Sequence, residues 1–215
     1  MQERTFLFPV SKVIRNRPFF FLSTLIYWIF GALSLLFFSK KEIHLFFNDY
    51  HSPFGDFIFP WLTRIGEEFL YALLILIFLF KKNYKAAIMA GISILIHTVI
   101  VQTLKNFIFA DAARPKTFFG ESSPLHFVKG IEIHHFHSFP SGHTATAFAV
   151  FCLISLFHKH YSWQILAFIG ALSVAFSRIY LQQHFFIDTY FGSIIGVFSA
   201  LSAYIWYQKN TKLNA

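Results

Sequence analysis

The run from Phe19 to Phe38 holds twenty residues and no charged side chain. A helix of that length rises about 30 Å, enough to cross the hydrocarbon of a bilayer. Further apolar runs follow at Glu68–Phe80, Ala86–Leu104, Thr144–Phe157 (its first turn at Ser141), Trp163–Ser177 and Ile187–Tyr207. Within lipid, each such segment must satisfy its own backbone polar groups, which a helix does. The expectation is an all-α membrane protein, with six transmembrane helices in one domain over residues 1–215. Composition agrees: 56% of residues are hydrophobic and 13% charged, where a soluble domain carries about a quarter charged.

Between the first two runs lies Ser39–Arg64, which mixes aromatics with Lys40, Lys41, Glu42, Asp49 and Asp56. Turn signals at Asn48-Asp49 and Ser52-Pro53 break it. This pattern reads as an amphipathic segment lying in the membrane interface. In the last run, Gly192 and Gly196 form a small-xxx-small pair that lets another helix come close. Cys152 is the single cysteine, so no intrachain disulfide can form.

The net charge of +8 raises the question of nucleic acid. In a membrane protein, basic loops set orientation and touch anionic headgroups instead, so no nucleic-acid partner is expected. Met1–Pro18 is basic, and no small-residue cleavage site follows the first apolar run, so that run is read as retained. If six spans alternate, one side collects ten of the eighteen Lys and Arg against a single acid, Glu3. That excess places both termini in the cytoplasm. The short size points to a bacterial inner membrane.

Alternation also brings four places to the opposite face: the end of the third span, the start of the fourth, the end of the fifth and the start of the sixth. These hold Lys105, then Ser141-Gly142-His143, then Ser177-Arg178, then His184 with Asp188, and Arg114 lies in the loop between the first two. Ser141 can cap a helix, and the free N–H groups there suit an anion. His184 and Asp188 are four apart and share a helix face. A carboxylate on one imidazole nitrogen fixes the tautomer and frees the other nitrogen. Lys105, Arg114 and Arg178 can surround a phosphoryl group, and an imidazole such as His143 can protonate a leaving oxygen. The residues alone do not say which histidine is the nucleophile. His126, His134, His135 and His137 invite a metal-site reading, but no carboxylate pattern completes a site, and lining the mouth of the active site suits them better. His97, inside the third run, reads as a hydrogen-bonded packing residue.

Lys105 with Arg114-Pro115, Pro140-Ser141-Gly142-His143, and Ser177-Arg178 followed by His184 and Asp188 resemble the three motifs of the type 2 phosphatidic acid phosphatase (PAP2) superfamily. Two departures stand out. Eight residues separate Lys105 from Arg114, a longer interval than the family pattern, and Phe186 stands where proline is common. The resemblance implies a PAP2-type helical bundle and hydrolysis of a lipid phosphate or diphosphate through a phosphohistidine, with no metal or other cofactor. It implies that His184 attacks phosphorus, Asp188 orients it and His143 protonates the leaving group. Lys105, Arg114, Ser141, Gly142 and Arg178 then hold the phosphate oxygens. The same chemistry admits a lipid phosphotransferase, and a catalytically inactive carrier or scaffold is the other alternative. The active site is expected to face the periplasm or exterior.

Overall fold

The computed structural model describes residues 13–120 and 124–212, and the basic positions Arg4 and Lys12 used in the orientation count lie outside them. Within the described residues every regular element is helical.

Helix α1 spans Pro18–Phe37. Pro18 suits the first turn, where its missing N–H has no helical partner to lose. Its outer face leaves Leu22, Leu25, Ile26, Ile29 and Phe30 exposed, while Phe20 is buried. An apolar surface of that size is a lipid-facing one. The expected amphipathic segment folds as two helices, α2 (Lys40–Asn48) and α3 (Pro53–Arg64). Ser39 and Glu42 close a capping box on α2, and the Ser52 hydroxyl accepts from Gly55 N on α3. Phe46, Phe54, Phe57 and Trp61 face outward, whereas His44, Asn48 and Thr63 are buried against the protein. The polar side of this segment therefore covers the bundle, and its apolar side faces away.

Helices α4 (Phe69–Phe80) and α5 (Tyr84–Thr103) follow. Helix α5 runs on through a wide π turn, Leu104–Ile108, closed by Phe109 N donating to Leu104 O at 2.8 Å. A short helix, α6 (Pro115–Phe119), sits in the loop before α7 (Gly142–Phe157), α8 (Tyr161–Tyr180) and α9 (Phe186–Lys212). Four helical stretches are long and apolar enough to cross a membrane: Pro18–Phe37, Tyr84–Ile108, Tyr161–Tyr180 and Phe186–Lys209. Helices α4 and α7, with 12 and 16 residues, are apolar but shorter. Such a set of helices makes a multi-pass membrane protein.

Helix α7 is the central element, packed mainly on α9 and α8. Ala147, Phe148, Ala149, Val150, Cys152 and Leu153 are fully buried there. The two glycines of α9 make the contact possible. A Cβ on Gly192 would meet Ser141 O at 2.6 Å, and one on Gly196 would collide with Ala145 O. The far end of α7 is closed by Arg17, whose Nε donates to Ser155 O at 3.0 Å and Nη2 to Leu156 O at 2.8 Å. A cation there satisfies the orphan carbonyls of the helix end and complements its dipole. With that end closed, the N-terminus of α7 is the end left for chemistry.

Candidate active site

The residues of the three motifs lie around the N-terminus of α7. Ser141 is the N-cap: its Oγ accepts from Thr144 N at 3.4 Å and from Thr144 Oγ1 at 3.0 Å, which leaves its own proton to donate. Ser141 N donates to Asp188 O at 3.0 Å, so the start of α7 is tied to the first turn of α9. A Cβ on Gly142 would meet only Val101 Cγ1, at 3.7 Å. Packing therefore does not demand glycine there, and Gly142 instead forms part of a cavity wall.

Arg114 is buried, held by three bonds: Nε to Phe136 O at 2.9 Å, and Nη1 to Gln183 O at 3.1 Å and to Gln183 Oε1 at 3.0 Å. Its fork is pre-aimed by the residue next to His184. Arg178, also buried, donates Nη1 to Thr63 Oγ1 at 2.6 Å, while its Nε has no hydrogen-bond partner. Lys105 sits inside the π turn, half-buried, and its carbonyl accepts from His137 Nδ1 at 3.1 Å. The π turn lies at the start of the long Lys105–Arg114 interval. Lys105 lines a cavity of about 500 Å³ that His143 also lines.

His184 is 2% exposed, in the turn joining α8 to α9, and its backbone N donates to Arg178 O at 3.1 Å. Its Nδ1 lies 3.5 Å from Asp188 Oδ2 but makes no hydrogen bond there. The imidazole pKa is held well below its ordinary value, first by burial, then by the positive charges of Arg114, Arg178 and Lys105. The ring is therefore neutral at physiological pH, with a lone pair available. His143 lies in the same field of Arg178, Lys105 and Arg114. A buried neutral imidazole, a second imidazole and three cations form a site that can hold a phosphoryl group and exchange it with a nitrogen nucleophile.

Four supporting residues escaped the sequence reading. Ser138 Oγ donates to Asp188 Oδ2 at 2.5 Å. Thr63 and Gln183 hold the two guanidiniums. Gly66 packs directly behind His143, where a Cβ would lie 2.9 Å from its carbonyl oxygen. Gln183 stands beside His184 and Ser138 three residues before Ser141, so both were within reach of motif reading. Thr63 and Gly66 come from a distant segment and carry no local signal.

The loop histidines take separate partners: His126 binds Asp56 at 2.9 Å, His135 binds Thr117 at 3.0 Å and His137 binds Lys105 O. Among the described residues no group of three His, Cys, Asp or Glu could hold a metal ion. His97 is buried, with Nδ1 near Ser93 O and Nε2 3.3 Å from Thr146 Oγ1, and it also lines the cavity.

Residues 86–212 match the family model described as the PAP2 superfamily. The chain is 30% identical over 176 residues to the lipid A 4'-phosphatase of Bacteroides thetaiotaomicron, covering 79% of this chain and 77% of that protein. A 65-residue stretch is 43% identical to the bacitracin transport permease protein BcrC of Bacillus licheniformis, covering 30% of this chain and 31% of that one. The crystal structure of LpxE from Aquifex aeolicus superposes with a TM-score of 0.65 at 27% identity, covering 78% of this chain and 96% of that one. The chain belongs to the PAP2 superfamily and is a phosphatase of that family's membrane-embedded branch.

Proposed function

We propose that the protein hydrolyses a membrane-lipid phosphate or diphosphate through a covalent phosphohistidine on His184. One observation carries this reading: the guanidiniums of Arg114 and Arg178, the Lys105 ammonium and two imidazoles converge on one end of the bundle, around a neutral, buried His184. The resemblance to a lipid A 4'-phosphatase supports a lipid substrate.

In this mechanism the phosphoryl oxygens lie against Lys105, Arg114, Arg178, the Ser141 hydroxyl and the N–H groups of Gly142 and His143. His184 presents Nδ1 to Asp188 and attacks phosphorus with Nε2. The N–P bond forms as the bond from phosphorus to the leaving oxygen breaks. That oxygen keeps the electron pair and takes a proton from His143. A water molecule then attacks phosphorus and gives its proton to His143, the N–P bond breaks, and His184 is regenerated. Asp188 stabilises the positive charge that grows on the ring in the first step.

The six-span reading takes the four long helices with α4 and α7 as two further crossings. Helix α7 can be short because it is almost wholly covered by its neighbours. With both termini cytoplasmic, the site opens to the periplasm or exterior, where a headgroup enters from the outer leaflet.

The test is phosphate release from lipid monophosphates and diphosphates by purified protein in detergent containing EDTA. His184→Ala is expected to abolish turnover. Wild-type activity in that variant would sink the mechanism, and transfer to an added alcohol in place of phosphate release would assign a phosphotransferase.

A further inference from the structure

The cavity beside His143 is unequally charged, and the asymmetry bears on what the phosphate is attached to. Its catalytic wall carries Lys105, Gly142 and His143. Glu67 and Glu68, the residues just before α4, line the same space. Glu67 is near enough to act electrostatically on Arg178. Polar side chains of α5 and α7, Thr98, Gln102 and Thr146, line the cavity as well. Only Phe69 and Val101 offer large apolar surface.

We infer that this cavity takes the leaving group, and that the leaving group is the hydroxyl-bearing headgroup, a polyol or sugar unit, of a lipid phosphomonoester. This rests on the phosphatase reading above. Three candidate occupants meet the cavity differently. A second phosphate, as in a diphosphate, carries its charge towards two carboxylates, and Lys105 is the one cation in the lining. An isoprenoid or acyl chain joined directly to the phosphate strips water from Gln102 and the threonines and offers no bond in return. Hydroxyl groups suit the lining: they donate to the carboxylates and exchange hydrogen bonds with the amide and the threonines. A volume of about 500 Å³ is within the range of small-molecule sites. His143 lines this cavity and also lies in the field of the cations, so the oxygen it protonates belongs to the group the cavity holds.

The experiment compares kcat/KM of the full-length protein in identical mixed micelles. The substrates are phosphatidylglycerol phosphate, a monophosphorylated glycolipid, phosphatidic acid and a polyprenyl diphosphate, with p-nitrophenyl phosphate alongside. The two hydroxyl-bearing monoesters are expected to lead by about tenfold or more, a ratio ordinary for polar and charge complementarity. In the Glu67→Gln/Glu68→Gln variant the gap to the diphosphate is expected to narrow. A second arm needs no variant: pyrophosphate is expected to inhibit the wild-type protein no better than inorganic phosphate. A wild-type preference for the diphosphate or phosphatidic acid, tighter inhibition by pyrophosphate, or an unchanged ratio in the double variant overturns the inference and leaves the phosphatase reading standing. No turnover of any substrate, p-nitrophenyl phosphate included, removes that reading and the inference with it.

Discussion

Asp188 is anchored by Ser138 before it meets His184. The Ser138 hydroxyl donates to Asp188 Oδ2 at 2.5 Å and the amide of Phe185 donates to the same oxygen at 2.9 Å, while His184 Nδ1 stands 3.5 Å away. Ser138 N in turn donates to Ala112 O at 3.0 Å, which fixes the loop that carries Arg114. The carboxylate is thus held by two donors, whereas the imidazole Nδ1 has no hydrogen-bond partner of its own. Catalytic contacts that are long without substrate commonly tighten when it binds.

Ser138→Ala is therefore expected to cut kcat with little change in KM. A hydrogen bond to a charged group contributes about 1.5–3 kcal/mol, which corresponds to about tenfold to hundredfold in rate. Steady-state kinetics on one lipid phosphate decides it, and a loss confined to KM would place Ser138 in substrate binding instead.

Lys105→Ala tests the π turn. If the wide turn delivers this lysine to the phosphate, phosphate release is expected to fall by about 10²–10³-fold, as for loss of one preorganised charge-stabilising group. Lys105→Arg is not expected to restore it, because a planar fork does not replace a compact ammonium. Wild-type rates in Lys105→Ala would show that the long interval to Arg114 leaves the lysine outside the cradle.

Gly192→Ala tests the α7–α9 contact. The added methyl would lie 2.6 Å from Ser141 O, so the two helices must separate at the site. Overpacking of this kind costs about 1–3 kcal/mol. A lower thermal midpoint in detergent is expected together with reduced kcat, since Ser141 and Asp188 are tied across this contact.

Acid should destabilise the fold through His44. Its pKa is lowered from 6.5 to about 4, chiefly by burial on α2. The unfolded chain then takes up a proton below about 6.5 that the folded chain refuses, so stability is full above that pH and falls as pH drops towards 4. His184 is shifted in the same direction. The check is the thermal midpoint in detergent at pH 7.5 and pH 5, where a His44→Gln variant should show a shallower decline.

The tautomer of His44 can be traced through its neighbours. His126 N donates to Asn48 Oδ1 at 2.8 Å, so that atom is an acceptor, and Gln182 Nε2 donates to it at 3.1 Å. Gln182 Oε1 is then free to accept from His44 Nε2 at 2.6 Å, and His44 carries its proton on Nε2. None of this was legible in the chain, because it joins α2, a loop and the α8–α9 turn.

What the sequence disclosed was what repeats at short range or follows from alternation. Phe19–Phe38 became α1 with its ends displaced by one residue. Asn48-Asp49 and Ser52-Pro53 did separate two helices. His184, Asp188, His143, Ser141, Gly142, Lys105, Arg114 and Arg178 lie near helix ends or in the loops between helices, at one end of the bundle. The run expected from Glu68 became α4 from Phe69, just after Gly66, where a Cβ would press on Val174 and His143. The single amphipathic segment gave no sign that its polar face would carry Thr63 to Arg178. Such pairings depend on which helix faces join, and that information is spread over the whole chain.

That last contact sets the size of the indivisible unit. The family match begins at residue 86, yet Thr63 holds Arg178 and Gly66 backs His143 from before it. A chimaera that grafts residues 86–212 onto a relative's N-terminal part would inherit all three motifs but take their outer brace from the relative. Exchange between homologues should therefore succeed only when residues 63–66 travel with the motifs, and divergence in the first third is constrained by chemistry performed in the last.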